Sequence, residues 1–385
     1  MVATANTGPS AAQQAASNNM NARNIVLGTS LPMLQQIASG TVLPDAAPIV
    51  NIPPQNVGLI KGFLVEINAN VTGGSGTSTL TPQGPANMLQ NVLFTDLQNY
   101  QRINTTGWHL SAVNSAKSKR PFFSSTASDS PIGFGSNAVV VKAPATIATT
   151  VVTTARMFYW VPLAYGAQDL TGAIYAGVVN ATMNLQLTFS NSAQFFKASG
   201  DAVGAVYSGS NGTVTSYTYT VYQSYLDQLP ATKDGIILPQ IDINTIYELK
   251  QSNFAGIPVN QDFNIGYSNF RHFLSTILIY DNGGTFNAGT DINYFSFRTA
   301  NYTDTRKADP FVWKGHERQV VMTDFPLGMY YFDTRDRPIF TTQQGNTNLV
   351  VNASTVNANA NILVGWEMLA NVQNLQGAGS LSSGT

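Results

Sequence analysis

The sequence predicts an all-β protein built from two sandwich or barrel domains. Three observations carry this: short runs of strictly alternating residues, Gly- and Ser-rich breaks between them, and a chain too long for one core. The 385 residues exceed the roughly 250–300 at which a single hydrophobic core stops growing. With 43% hydrophobic residues each half can bury a core of its own. In residues 62–71, Phe63, Val65, Ile67, Ala69 and Val71 alternate with Leu64, Glu66, Asn68 and Asn70, the period of a half-buried strand. Residues 216–222 (SYTYTVY) alternate more strictly, with β-formers on both faces. Further strands are expected at 139–142, 156–161, 184–189, 274–280, 328–332, 349–352 and 362–368, separated by breaks such as 73–76 and 208–212.

The first forty residues read differently. Ser10 and Gln13 have capping-box spacing, and Ala11, Ala12, Ala15 and Ala16 are helix formers. Met20, Arg23 and Leu27 continue one side of that helix, and Ser30-Leu31-Pro32 reads as the start of a second helical turn. This arm is too weakly apolar to build a core and is expected to take its order from a partner surface. The halves themselves show a faint repeat. Phe63-Leu64, Ile67 and Gly73-Gly74 have the spacing of Phe273-Leu274, Ile277 and Gly283-Gly284, which suggests a duplicated sandwich. The joint is expected between Leu229 and Pro239, around the Lys233-Asp234-Gly235 turn. The expected division is an arm at 1–40, a first domain at 41–229, a linker at 230–260, and a second domain with the C-terminal tail at 261–385.

Composition narrows function. Charged residues make up 10% of the chain against about 25% in average domains. Polarity comes instead from Asn, Gln, Ser and Thr, which are cheaper to cover with a neighbouring protein than charges are. A net charge of −1 and the lack of a basic arm argue against direct nucleic-acid binding, which needs clustered Lys and Arg. With no cysteine, thiolate nucleophiles, disulfides and Cys-based metal sites are excluded. No signal peptide is expected, and the uncharged stretch 170–196 is interrupted by Asn180, Asn184, Gln186 and Asn191, so it does not read as a membrane span.

Several runs then carry a specific resemblance. Residues 159–165 (YWVPLAY), 169–173 (DLTGA), 219–230 (YTVYQSYLDQLP), 281–284 (DNGG), 286–294 (FNAGTDINY), 298–301 (RTAN), 304–307 (DTRK) and 323–326 (TDFP) resemble the major capsid protein of the tectiviruses, tailless phages with an internal membrane. The resemblance implies two tandem eight-stranded jelly rolls, a homotrimer forming a pseudo-hexagonal capsomer, and an icosahedral shell over a lipid bilayer. It further implies contacts with neighbouring capsomers, vertex or penton proteins and minor capsid proteins, peripheral contact with the membrane, and none with the packaged DNA. Such a protein is made in the host cytoplasm and resides in the virion.

No catalytic, cofactor or metal-binding residue is expected, and no cofactor. His109, His272 and His316 lack metal-ligand spacing. Residues 281–291 fail the calcium-loop template at Gly283 and lack a closing Glu, so a hairpin turn is expected there. Between Arg298 and Arg337 lie 13 of the 39 charged side chains, seven basic and six acidic. Asp333 and Asp336 stand beside Arg335 and Arg337, which hold carboxylates ionised, so an ion-paired loop or subunit contact is expected. Tyr217, Tyr219 and Tyr222 could form a sugar-stacking platform, and a carbohydrate-binding sandwich is the runner-up; an enzyme ranks third. Trp160 is expected in the core of the first sandwich.

Overall fold

The computed structural model describes residues 11–46, 48–119, 142–166, 168–177, 182–198, 203–233, 235–268, 270–284, 289–298, 304–322, 325–326, 328–335, 339–340 and 347–371. In the first half the main strands are β1 (Leu31–Val42), β2 (Ile49–Ile52), β3 (Leu59–Thr72), β4 (Leu89–Thr95), β5 (Gln101–Thr105), β6 (Val152–Pro162), β7 (Asn184–Phe189) and β8 (Thr213–Asp227). In the second they are β9 (Thr245–Ala255), β10 (Asp262–Gly266), β11 (His272–Asp281), β12 (Ile292–Arg298), β13 (Asp304–Ala308), β14 (Met329–Asp333), β15 (Asn348–Ala353) and β16 (Asn361–Asn371).

Their order reveals the duplication. One sheet runs β1-β8-β3-β6, a long one β2-β7-β4-β5-β9-β16-β11-β14, and a third β10-β15-β12-β13. Each strand number in the first half, raised by eight, gives the corresponding strand of the second, so each half is an eight-stranded jelly roll. The long sheet belongs to both: β5 and β9 pair in parallel, Ile103 opposite Leu249 and Asn104 opposite Lys250. Three helices of twelve or more residues complete the frame among the described residues: α1 (Ala11–Thr29), α2 (Gly107–Ser118) and α3 (Pro310–Val321). α2 follows the fifth strand of the first jelly roll, and α3 follows the fifth strand of the second.

The alternation in β3 builds the first core: Phe63, Val65, Ile67, Ala69 and Val71 are all fully buried, under Phe94, Leu185 and Leu187 of the facing strands. The second core gathers Phe273, Leu278, Tyr280, Phe295, Phe297, Trp313 and Phe332. The faint sequence repeat falls on β3 and β11, the third strand of each jelly roll. Phe63 and Phe273 both face their own core, but Ile67 faces inward and Ile277 outward. A register shift between Phe273 and Ser275 in the pairing with β16 marks the bulge that turns the later residues over.

Several expectations need correction. Residues 30–32 do not start a helical turn: Leu31–Val42 is β1, paired with β8 from Leu31 opposite Asp227 onward. The strand ends its sheet and its polar residues face both ways, which hid it inside the expected arm. Within the expected linker, Thr245–Ala255 is β9, a full partner of β16. The turn at Lys233 and Gly235 does join a short hairpin, Ala231 opposite Ile236. Gly283 and Gly284 adopt positive φ but make no hairpin, because β11 and β12 lie in different sheets. Ser10, and residues 139–141 of an expected strand, lie outside the described residues.

Candidate assembly surface

Nine of the twelve residues of α2 are buried, because the helix is wedged between its own jelly roll and the outward face of β9-β16-β11-β14. Val113 shares a cluster with Leu249, Ile277, Ile279 and Tyr331 of that sheet. His109 stands over Gly365 of β16, where an added Cβ would lie 2.2 Å from the imidazole Cδ2; only glycine admits the ring. Its Nδ1 lies 2.6 Å from Thr105 Oγ1, while Nε2 meets no hydrogen-bonding partner among the described residues. Burial, opposed by the charge of Glu367, takes the imidazole pKa down to about 3, so His109 is a neutral packing residue.

In the last turn of α2, Lys117 Nζ lies 2.6 Å from Glu367 Oε1 of β16. It also donates to the Tyr165 carbonyl at 2.7 Å and the Tyr247 hydroxyl at 2.9 Å. Glu367 accepts from Tyr247 at 2.8 Å and from Ser275 at 2.7 Å. Burial pushes the carboxyl pKa up, but the ammonium and the hydroxyls more than offset it and hold it below the ordinary range. Burial lowers the Lys117 pKa in turn. A second tie crosses the junction nearby. Arg271 Nε donates to Glu248 of β9 at 2.7 Å, and the Tyr100 hydroxyl, from the first jelly roll, donates to the same carboxylate. Burial and that carboxylate push the Tyr100 pKa up to about 12. These groups neutralise one another, so their role is to fix how one jelly roll sits on the other.

α1 is anchored to the body of its own chain, contrary to the expected partner-ordered arm. Arg23 donates to Asp242 at 2.6 and 2.5 Å, and Asn19 donates to it at 3.0 Å. Val26 is buried with Leu59, Leu170 and Leu226. Ahead of Asn19 the helix is exposed, apart from Ala12, whose side chain is not described.

The outward face of β1-β8-β3-β6 carries an aromatic row. Gln36 pairs with Tyr222, Tyr222 with Leu64, and Leu64 with Trp160, all half-buried or exposed. Trp160 is therefore not a core residue. Its neighbour Tyr159 takes the inward place, its hydroxyl donating to the Pro85 carbonyl at 2.6 Å. The tyrosine platform also dissolves: Tyr217 is in the core, Tyr219 packs on Phe189, and Tyr222 alone faces outward. Where this face meets α2 and Arg335 there is a cleft of about 640 Å³, lined by Lys61, Ser111, Phe158, Trp160 and Tyr165 among others.

Several described charges of the charge-rich segment are paired. Arg298 bridges Asp262 at 2.6 Å and Asp304 at 2.8 Å. Despite some desolvation, hydrogen bonds from Tyr294, Arg298 and Asn352 take the Asp262 pKa down to about 2. Asp333 is clasped by Arg335; Asp336 and Arg337 lie outside the described residues. Half-buried His272 has its pKa lowered by burial, and His316 lies edge-on to Trp313. No group of three or more His, Asp or Glu side chains converges as a metal site among the described residues, and no described helix is long and apolar enough to cross a membrane. Sequence reasoning missed Lys117, Glu367 and the His109–Gly365 seat. The available signal was a lone charge in an uncharged run: Glu367 is the only one in β16, and Lys117 the only one in α2.

Comparison with known proteins agrees with this architecture. Residues 2–229 match the P3 major capsid protein N-terminal family and residues 244–383 the P3 major capsid protein C-terminal family. The chain is 47% identical over 377 residues to the major capsid protein P3 of Enterobacteria phage PRD1, covering 96% of this chain and 95% of the relative. Among solved structures, the STIV MCP superposes with a TM-score of 0.64 at 10% identity, over 91% of this chain and 99% of that one. PBCV-1 VP54, as fitted into the virophage Sputnik, gives 0.53 at 12% identity over 88% and 94%. At such identities these likenesses speak for the fold alone.

Proposed function

Because the chain belongs to the P3 major capsid protein family, a family of structural capsid proteins and not of enzymes, we propose that it trimerises into pseudo-hexagonal capsomers of an icosahedral shell over an internal membrane. The observation that carries this is the duplicated jelly roll locked by buried ion pairs. Each chain presents two like lobes in one fixed relation, so three chains supply six. In this reading the chain divides into an arm ahead of Leu31, a first jelly roll to about Leu229 and a second from Thr245. Its partners are further copies of itself, neighbouring capsomers, and vertex and minor capsid proteins. The membrane is met peripherally. The packaged nucleic acid is not touched, a reading supported by the net charge of −1 and by the pairing of so many cations with carboxylates. Synthesis is in the host cytoplasm, and no side chain has a catalytic, cofactor or metal role.

Obligate interfaces often bury about 2,000 Å² or more, so the trimer should survive dilution. Light scattering on a sizing column is expected to report three times 41.2 kDa; a clean monomer at micromolar concentration would overturn the reading.

A further inference from the structure

Asparagine followed by glycine is a labile pair, because the glycine carries no Cβ to keep its backbone nitrogen away from the side-chain amide. The chain holds two such pairs, Asn211-Gly212 and Asn282-Gly283, and the fold gives them opposite surroundings. Each stands at a strand end, the first just ahead of β8 and the second just after β11. We propose that Asn211 is a site of spontaneous deamidation in the folded protein, converting to aspartate and isoaspartate, and that Asn282 is protected from the same reaction. In the step, the Gly212 backbone nitrogen attacks Asn211 Cγ. The N–Cγ bond forms, the Cγ–Nδ2 bond breaks, and ammonia leaves with the glycine amide proton. Water then opens the cyclic imide at Cγ, giving aspartate, or at the backbone carbonyl, giving isoaspartate. Water is the one co-reactant, and nothing is oxidised or reduced.

Three observations support it. Asn211 is exposed, and neither its side-chain amide nor the Gly212 N–H has a hydrogen-bonding partner among the described residues. Nucleophile and electrophile are both unengaged, and ammonia can leave to solvent. Asn282 is only 3% exposed and its carboxamide is held at both ends. Its Nδ2 donates to Asp291 at 2.9 Å, and its Oδ1 accepts from the Asn357 N–H at 2.7 Å, so it is not free to turn toward the Gly283 nitrogen. Finally, the packing explains why a labile pair stands ahead of β8. A Cβ at Gly212 would lie 2.6 Å from the Thr72 carbonyl oxygen and 2.8 Å from the Phe196 ring, so the fold admits glycine alone there. The residue before the pair is pinned: the Ser210 carbonyl accepts from Ser78 Oγ at 2.9 Å, and Ser210 Oγ accepts from the Gly76 N–H at 3.0 Å. From this loop β8 runs to Leu226, which packs with Val26 of α1, so Asn211 lies at the end of the first jelly roll opposite α1. Each conversion adds one negative charge to a chain whose net charge is −1, and that end becomes more acidic as the protein ages.

The test is peptide mapping of the full chain, held in mildly alkaline buffer either folded or in guanidinium chloride and digested with trypsin at intervals. Tryptic fragment 198–233 contains Asn211 as its only asparagine, so a mass gain equal to the exchange of NH2 for OH is localised there by fragment-ion spectra, as it is at Asn282. In the folded protein Asn211 is expected to convert at least tenfold faster than Asn282, with isoaspartate in the product detected by enzymatic methylation. In denaturant the two should convert at comparable rates. Equal rates in the folded protein, or conversion of Asn211 in denaturant only, would overturn the proposal. A mass gain without isoaspartate would also sink it, because opening of the imide yields both products. As a second measurement, Asn211→Gln is expected to abolish the gain at residue 211 with an unchanged melting temperature, since glutamine closes the larger ring far more slowly. A gain at that position as fast as in the parent would contradict the ring-closing step.

Discussion

α2 and α3 are twelve-residue helices at equivalent places in two copies of one fold, and they have opposite surroundings. α2 is buried on both sides, its single charge ends on Glu367, and small residues and one histidine fill the gap to the neighbouring sheet. α3 keeps Trp313, Glu317 and Val321 for its own jelly roll and turns Phe311 and Val312 to solvent. The difference teaches that a helix in this fold is completed by whatever sheet lies next to it. For α2 that sheet is in the same chain.

The largest effect should come from breaking the buried tie. Lys117→Ala leaves Glu367 unpaired at 1% exposure and should cost about 3–5 kcal/mol, read by chemical denaturation. The matching change on the other helix, Lys314→Ala, should cost clearly less. Glu317 is equally buried and, like Glu367, keeps two further donors, here the backbone N–H groups of Phe325 and Tyr331; the difference lies in its protonation. Burial already raises its pKa despite Lys314, so it can take up a proton instead. Equal costs at the two helices would break the comparison.

Next comes the seat of His109. Gly365→Ala forces a methyl group into the imidazole and should cost about 1–3 kcal/mol, as overpacking does, with the loss recovered in part by His109→Ala in the same chain. Additive losses would show that the ring and the glycine do not share one space.

The pH dependence follows from the same residue. The unfolded imidazole titrates near ~6.5 and the folded one at about 3, so the unfolded chain takes up the proton first. Stability from this site is complete above the unfolded pKa and falls as the pH drops toward the folded value, by up to ~1.4 kcal/mol per pH unit. Denaturation between pH 4 and 7 should be less acid-sensitive in His109→Asn than in the parent; parallel curves would contradict the burial. The smallest effect concerns the arm. Removing residues 1–18 spares Asn19, Arg23 and Val26, the groups that dock α1, and should change the melting free energy by less than ~0.5 kcal/mol.

The sequence exposed the parts of this architecture whose side chains answer to one neighbour. β3 and β8 alternate because one face meets the core and the other does not. β1, at the edge of its sheet and polar on both faces, carries no such period. α2 has no polar face to display because both its faces are covered, so it has no amphipathic stripe to read. α3 was not expected, although its start carries a local signal: Asp309 accepts from the Val312 N–H at 2.9 Å ahead of Pro310, a capping arrangement that the charges around it obscured. Trp160 was misplaced because a place in a strand does not say which face a residue takes, and the alternation of β6 gives the inward position to Tyr159. The ties between jelly rolls, Lys117 to Glu367 and Tyr100 to Glu248, join residues far apart in the chain, and spacing along a sequence does not encode such pairs.

Cryo-electron microscopy of the purified protein tests most directly the claim that the buried ties hold the two jelly rolls of each chain in one fixed relation and that three such chains form the capsomer. The map is expected to show six lobes from three chains, with α2 seated between the two jelly rolls of each chain and Lys117 on Glu367. Two jelly rolls that take variable positions relative to each other, or a particle without six lobes, would contradict it.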